Sequence, residues 1–283
     1  MGEVIGMTLT AAIISGLVAW AAVSIGGDPW EYPLLGIVGL FPLMIGVGSG
    51  IVAISILQLL GIGVRRFEST FRGVRSGWLD GETLPLVERA VRESQNDSGV
   101  CPSPELILEA YRRIDPKDVC VVIVGWDPYP RLSDACGVAF QALSAMPHSA
   151  RSIFDNLAKY GHVSPDHRAA MTEADLRGWI EQGVLLTNRS LTVIAGRPGS
   201  HAAAWTGVVE RILSRVPKNT VALLLGAEAG LLSLPCERVV RHTHPVIPSD
   251  DEFQKVDCFG MVNAHLKELG HAPIDWSRHA ISS

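Results

Sequence analysis

The sequence predicts an α/β fold: a doubly wound, mostly parallel four-stranded sheet flanked by helices, preceded by a two-helix transmembrane hairpin. Three observations predict it. Four short runs rich in Val, Leu and Ile lack strict alternation, as strands covered on both faces do. Helix start signals fall between those runs. The first 64 residues carry only three charges, Glu3, Asp28 and Glu31, and no Lys or Arg.

That charge asymmetry divides the 283 residues in two. Of the 29 acidic residues, the other 26 lie with all 24 basic ones in the last 219 residues, which are ordinary in composition and long enough for one core. The totals exclude a disordered chain and a disulfide miniprotein, and predict that the chain is not wholly soluble. They also exclude a bulk positive field, so any nucleic-acid contact needs a local patch. Cys101, Cys120, Cys136, Cys236 and Cys258 form no C-x-x-C pair, which suits buried free thiols in a reducing compartment.

In chain order, the uncharged runs 4–27 and 33–64 are each long enough to span a bilayer. Asp28-Pro29-Trp30-Glu31-Tyr32 between them suits an interfacial turn. Pro42 and the Gly-rich stretch 46–50 predict a kink or tilt in the second run, and Gly46 and Gly50 suit close helix approach. Residues 65–77 read as a basic linker: Arg65, Arg66, Arg72 and Arg75 place both termini on the cytoplasmic side and suit anionic lipid headgroups. The expectation is a multi-pass membrane protein whose bilayer partner is met through residues 4–64. Residues 78–283 then form a cytoplasmic catalytic domain.

Within that domain the predicted strands are Val119–Gly125, Gly183–Asn188, Thr220–Gly226 and Arg238–Thr243. Ser103-Pro104-Glu105 opens a helix to about Arg113, Ser149 one to about Tyr160, Thr172 one stopping before Gly183, and Ser200 one to about Ser214. A last helix covers Val262–Leu269 and stops at Gly270. Strand–helix alternation of this kind makes a parallel sheet.

Polar residues cluster where such a sheet binds ligands. Trp126-Asp127 follows the first strand, Asn188 ends the second and His244 follows the fourth. Carboxyl ends of strands line the crevice of an open α/β sheet. A carboxylate, an amide and a hydrogen-bond donor together suit hydrolysis. No G-x-S-x-G, P-loop or G-x-G-x-x-G accompanies them. His242 and His244 form an H-x-H pair, which alone is a weak metal signal.

At these residues the chain resembles the family 1 uracil-DNA glycosylases. The family's water-activating loop reads GQDPYH, and Val121–Pro130 reads VVIVGWDPYP. Gly137-Val138-Ala139-Phe140 is similar to its GLAF segment, with Phe140 13 positions after Asp127. GVLLTNRSLTVIAGRPGSH at 183–201 resembles its GVLLLN…LTVRAG…SH block, and 243–249 stands where an HPSPLS loop belongs. Pro273-Ile274-Asp275-Trp276 matches a closing PIDW. Together these pieces span roughly residues 78–276 in register.

The resemblance implies hydrolysis of the N-glycosidic bond of uracil in DNA, leaving an abasic site, with no metal and no cofactor. Asp127 is implied as the carboxylate that positions water and stabilises an oxocarbenium-like sugar. His244 is implied as donor to the uracil oxygen where charge develops. The substrate-binding set is Trp126, through its backbone N–H, with Tyr129 barring a C5-methyl, Phe140 stacking on the base and Asn188 reading its edge. DNA contacts fall to Ser149, Ser200, His201, Pro245, Val246, Pro248 and Ser249. Ser149 also suits a helix N-cap, and Ser200 and His201 suit structural roles equally well.

The chain departs from the family where Trp126 replaces Gln, Pro130 replaces His, Val246 replaces a phosphate-contacting Ser and Pro248 replaces the wedge Leu. These changes predict weak duplex binding and a preference for uracil in single-stranded DNA. Two alternatives stand beside this reading: a glycosylase for another modified pyrimidine, and a membrane-tethered DNA-binding or sensing module with little activity.

Overall fold

Residues 67–246 and 252–278 are described by the computed structural model. The strands in chain order are β1 (Val100–Cys101), β2 (Val121–Gly125), β3 (Val184–Asn188), β4 (Val193–Ile194), β5 (Val221–Leu225) and β6 (Arg238–His242). A helical turn at 67–71 precedes α1 (Thr83–Gln95), α2 (Ala110–Arg113) and α3 (His148–Lys159). Then follow α4 (Pro165–Ala170), α5 (Arg177–Ile180), α6 (Val208–Leu213), α7 (Ala227–Gly230) and α8 (Cys258–Glu268). Four strands form one parallel sheet in the order β3-β2-β5-β6, and β1 and β4 make a small antiparallel pair.

Every residue of β2, β3 and β5 is buried, which explains their unbroken apolar runs. Side chains alternate between two cores. Val121, Ile123, Val184, Leu186, Val221 and Leu223 face one, which holds Phe154, Trp179, Phe259 and Trp276. Val122, Val124, Leu185, Ala222 and Leu224 face the other, with Trp78, Tyr111, Trp205 and α1. β6 is an edge strand, and Arg238 and Arg241 on it discourage pairing with another chain.

The Pro273–Trp276 segment is a brace for the first core. Asn263 holds Ile274 through both its amide atoms, at 2.8 and 2.9 Å. Trp179 Nε1 donates to the Trp276 carbonyl at 3.0 Å, and the two indoles meet edge to face at 5.0 Å.

Several helices are shorter than their sequence signals. The expected helix from Ser200 begins only at Val208, because Gly207 has φ +75° and interrupts right-handed helix. The expected helix from Thr172 is reduced to α5. Its first residues turn away, with the Thr172 carbonyl accepting from Met146 N–H and Leu176 N–H donating to Gln141 Oε1. The stretch from Ser103 splits into a 3₁₀ turn at Pro104–Leu106 and α2, whose first N–H bonds to the Gly137 carbonyl. The last helix starts at Cys258, four residues early, since Asp257 accepts from Gly260 N–H as its cap.

One expectation is overturned. No helix among the described residues is long and apolar enough to cross a membrane, so the multi-pass membrane localisation is not upheld. The longest helix among the described residues, α1, has 13 residues and is amphipathic, whereas a span needs about 20 apolar residues. The runs 4–27 and 33–64, with Arg65 and Arg66, lie outside the described residues. Arg75, expected at the lipid surface, donates instead to the Arg112 carbonyl at 3.0 Å.

Candidate active site

The sheet delivers its polar residues to one edge. Gly125 of β2 is in register with Asn188 of β3, and Leu225 of β5 with His242 of β6. The chain leaves β2 toward the face of α3 and leaves β5 toward the face of α7, so connections diverge between these neighbouring strands. Such a switch point opens a crevice beyond the strand ends. A cavity of about 240 Å³ lies there, lined by Trp126, Asp127, Tyr129, Phe140, Ser149, Asn188, His244 and Val246 among others.

Asp127 is partly buried, and its Oδ2 accepts a 2.7 Å hydrogen bond from Gly199 N–H. Burial pushes its carboxyl above the usual carboxylate range, while the N–H bonds from Gly199 and its own backbone oppose that rise. His244 faces the same cavity. Burial holds its imidazole below the ordinary histidine value, favouring the neutral ring. Its Nδ1 lies 3.2 Å from Val246 N–H and accepts from it, so the ring proton sits on Nε2. A neutral donor and a carboxylate thus line one cavity.

Phe140, Asn188 and Tyr129 line the same cavity. Phe140 has φ +64°, a backbone conformation rare for an aromatic residue and costing roughly 1–3 kcal/mol. Its ring centroid is 6.5 Å from that of His244. Asn188 is 9% exposed, and its amide has no hydrogen-bond partner among the described residues, leaving donor and acceptor for a ligand. Tyr129 donates to or accepts from Ser149 Oγ at 2.6 Å, and burial raises its phenol far above the usual value.

The remaining candidates are placed differently. Ser149 is 4% exposed and engaged with Tyr129, at the start of α3. Ser200 Oγ accepts from Ile194 N–H at 2.8 Å. His201 is 5% exposed, with one ring nitrogen 3.0 Å from Thr192 Oγ1 and the other 3.1 Å from Asp97. Both residues brace the loop after β4. Pro245 is buried and Val246 is exposed at the rim, while Pro248 and Ser249 lie outside the described residues. His242 stacks on Phe253 and bonds its carbonyl, away from His244. Among the described residues no group of three His, Cys, Asp or Glu gathers to hold a metal.

Three contributors carried no signal as chemistry. A Cβ at Gly125 would lie 2.5 Å from Asn188 Oδ1 and 2.9 Å from Phe140 Cζ, so glycine lets both approach the strand end. Gly199 supplies the N–H that holds Asp127. Pro198, beside it, lines the cavity wall. Only the positions of these residues next to recognised motifs hinted at them.

No protein-family model matches the chain. It is 36% identical over 188 residues to the uracil-DNA glycosylase of varicella-zoster virus, covering 63% of this chain and 60% of that protein. It is 34% identical over 196 residues to the enzyme of that name from Deinococcus deserti, covering 65% of this chain and 77% of the relative. The Bordetella pertussis uracil-DNA glycosylase is 35% identical over 223 residues, with 71% of this chain and 86% of the relative covered. The chain belongs to the uracil-DNA glycosylase family. Among solved structures, a variant of mimivirus UNG in complex with UGI matches with TM-score 0.61 and 25% identity, over 71% of this chain and 88% of that one. The UNG of Nitratifractor salsuginis shares the fold, with TM-score 0.51 and 21% identity over 70% of this chain and 94% of that one. The α/β domain, with its parallel β3-β2-β5-β6 sheet, is thus of the uracil-DNA glycosylase type.

Proposed function

We propose that this chain hydrolyses the N-glycosidic bond between uracil and deoxyribose in DNA, releasing uracil and leaving an abasic site, with residues 78–283 as the glycosylase domain. The observation that carries the reading is the gathering of Asp127, His244, Phe140 and Asn188 in the lining of one cavity, with burial favouring the neutral imidazole. The target base leaves its stack and enters the cavity. Phe140 stacks on it, and the Asn188 amide pairs with its edge, which in uracil offers one donor and one acceptor. Tyr129, in the lining of the same cavity, bars a C5-methyl and so excludes thymine.

As the C1′–N1 bond breaks, its electron pair moves onto the uracil ring and positive charge develops on the sugar. The Nε2–H of His244 donates to the ring oxygen that gains charge, a stabilisation strongest in the transition state. Ionised Asp127 stabilises the sugar cation and orients the water whose oxygen bonds to C1′; the water's proton passes to Asp127. Uracil leaves as the anion and is protonated later.

The DNA strand is single in the preferred substrate. Val246 has no hydroxyl for a phosphate, Pro248 is smaller and stiffer than a leucine wedge, and the last 219 residues carry only two more acids than bases. Unstacking in a duplex, at a few kcal/mol, is therefore poorly compensated. The test compares uracil release from single- and double-stranded oligonucleotides carrying one uracil. Faster release from the single strand is expected, and equal efficiency contradicts the preference. Asp127→Asn lowers release by roughly 10²–10⁴-fold in either substrate, the scale of a positioned acid–base group.

A further inference from the structure

The turn after β4 is tied down at several points. Ala195 N–H donates to the Gly99 carbonyl at 2.8 Å, Gly196 N–H to the Pro130 carbonyl at 2.9 Å, and Ile194 N–H to Ser200 Oγ at 2.8 Å. Between these ties, Gly199 presents its N–H to Asp127 Oδ2 from left-handed backbone, with φ +75°. The Trp126 ring lies directly over that glycine. A Cβ at position 199 would sit 2.9 Å from Trp126 Cζ2, 3.6 Å from Cη2 and 3.7 Å from Cε2. The Trp126 backbone is itself fixed, its carbonyl accepting from Ser190 N–H at 2.9 Å. Its indole Nε1 is buried and has no hydrogen-bond partner among the described residues. The ring is therefore held by packing, and the surface it packs on is the Gly199 turn.

We propose that the Trp126 side chain is a positioning residue: its indole clamps the Gly199 turn and so keeps the Gly199 N–H on Asp127 Oδ2. This role is separate from any contact of the Trp126 backbone with the base, and it rests on the reading of Asp127 as the catalytic carboxylate. The clamp fixes one carboxylate oxygen of a residue that lines the cavity. It also favours the ionised carboxylate, since an N–H donor stabilises that form. The other titratable groups lining the cavity are Tyr129, Cys136 and His244, and the turn's own Arg197 is exposed. Burial raises the tyrosine and cysteine and lowers the histidine, which favours the neutral form of all three.

The experiment measures single-turnover uracil release from a single-stranded uracil oligonucleotide across pH, using the full chain. Wild type is set against Trp126→Phe, Trp126→Ala and Gly199→Ala. Trp126→Ala is expected to slow release by roughly 10²-fold, the cost of about 1 Å of misplacement, with half-saturation changed much less. Its acid limb moves to higher pH, because the carboxylate loses the donor that favours ionisation. Trp126→Phe keeps most of the rate and the wild-type limb. Gly199→Ala disturbs the same contact from the other side and moves the limb in the same direction, and the double alanine variant is no slower than the worse single one. An unmoved acid limb in a folded Trp126→Ala protein overturns the proposal, and so does a Trp126→Phe protein as impaired as Trp126→Ala. Should Trp126→Ala fail to fold, Gly199→Ala decides by the same criterion. A wild-type chain that releases no uracil instead removes the proposed function itself.

Discussion

Asp127 illustrates what the site costs the fold. Its carboxyl is held above the usual range by burial, so ionisation is easier in the unfolded chain than in the folded one. A group raised in this way gives its full stability below the unfolded pKa of about 3.9, and that stability is lost as pH rises through the folded value. Asp127→Asn removes the titration while keeping an acceptor for Gly199 N–H. Its melting temperature is therefore expected to exceed wild type's at pH 7, with the gap closing toward pH 3. A variant less stable at pH 7 contradicts this sign. Ser149 offers a second test. Its hydroxyl is 2.6 Å from the Tyr129 hydroxyl and hidden from solvent, so it acts here as a stay for the ring. Ser149→Ala leaves a part-buried phenol without that partner, at about 1 kcal/mol, and frees the ring to move. Thymine release is expected to rise relative to uracil release, and Ser149→Thr to restore the ratio; an unchanged ratio in Ser149→Ala refutes the stay.

Strand ends carry the next lesson. β2 stops at Gly125, where a side chain would meet Asn188 and Phe140 at once. Gly125→Ala is expected to destabilise the domain by about 1–3 kcal/mol through overpacking. It also lowers kcat/KM for uracil release by roughly 10²-fold, because two groups lining the cavity shift together. Denaturant unfolding and steady-state kinetics measure the two effects, and a silent Gly125→Ala refutes the spacing argument. The three inner-buried sheet strands, β2, β3 and β5, were legible because their burial on both faces writes itself as runs of Val, Leu and Ile. Helices were less so. Gly207 and the Gly137–Ala110 bond cut two expected helices through long-range geometry that no local start signal encodes. α1 escaped notice although Asp80 Oδ1 accepts from the N–H of its first residue, Thr83, at 2.7 Å. The antiparallel β1–β4 pair has two residues a side, too few for a period.

At the scale of the whole molecule, composition and chemistry answer different questions. The three-charge segment 1–64 suggested a membrane protein, yet among the described residues no helix is suited to a bilayer. What a reader could take from the chain was the set of residues after each strand. Asp127, Asn188 and His244 come from three separate strand ends, and the parallel sheet alone gathers them. The supporting shell was not legible, because Gly199, Trp126 and Ser149 act through contacts 20 to 73 positions apart. The proposed activity is excision of uracil in this cavity. Incubating the full chain with a single-stranded oligonucleotide containing one uracil, then cleaving abasic sites with alkali, tests it directly. Strand breakage at the uracil is predicted for wild type, with little or none for Asp127→Asn. Intact strands after wild-type treatment of both single- and double-stranded substrates would contradict it.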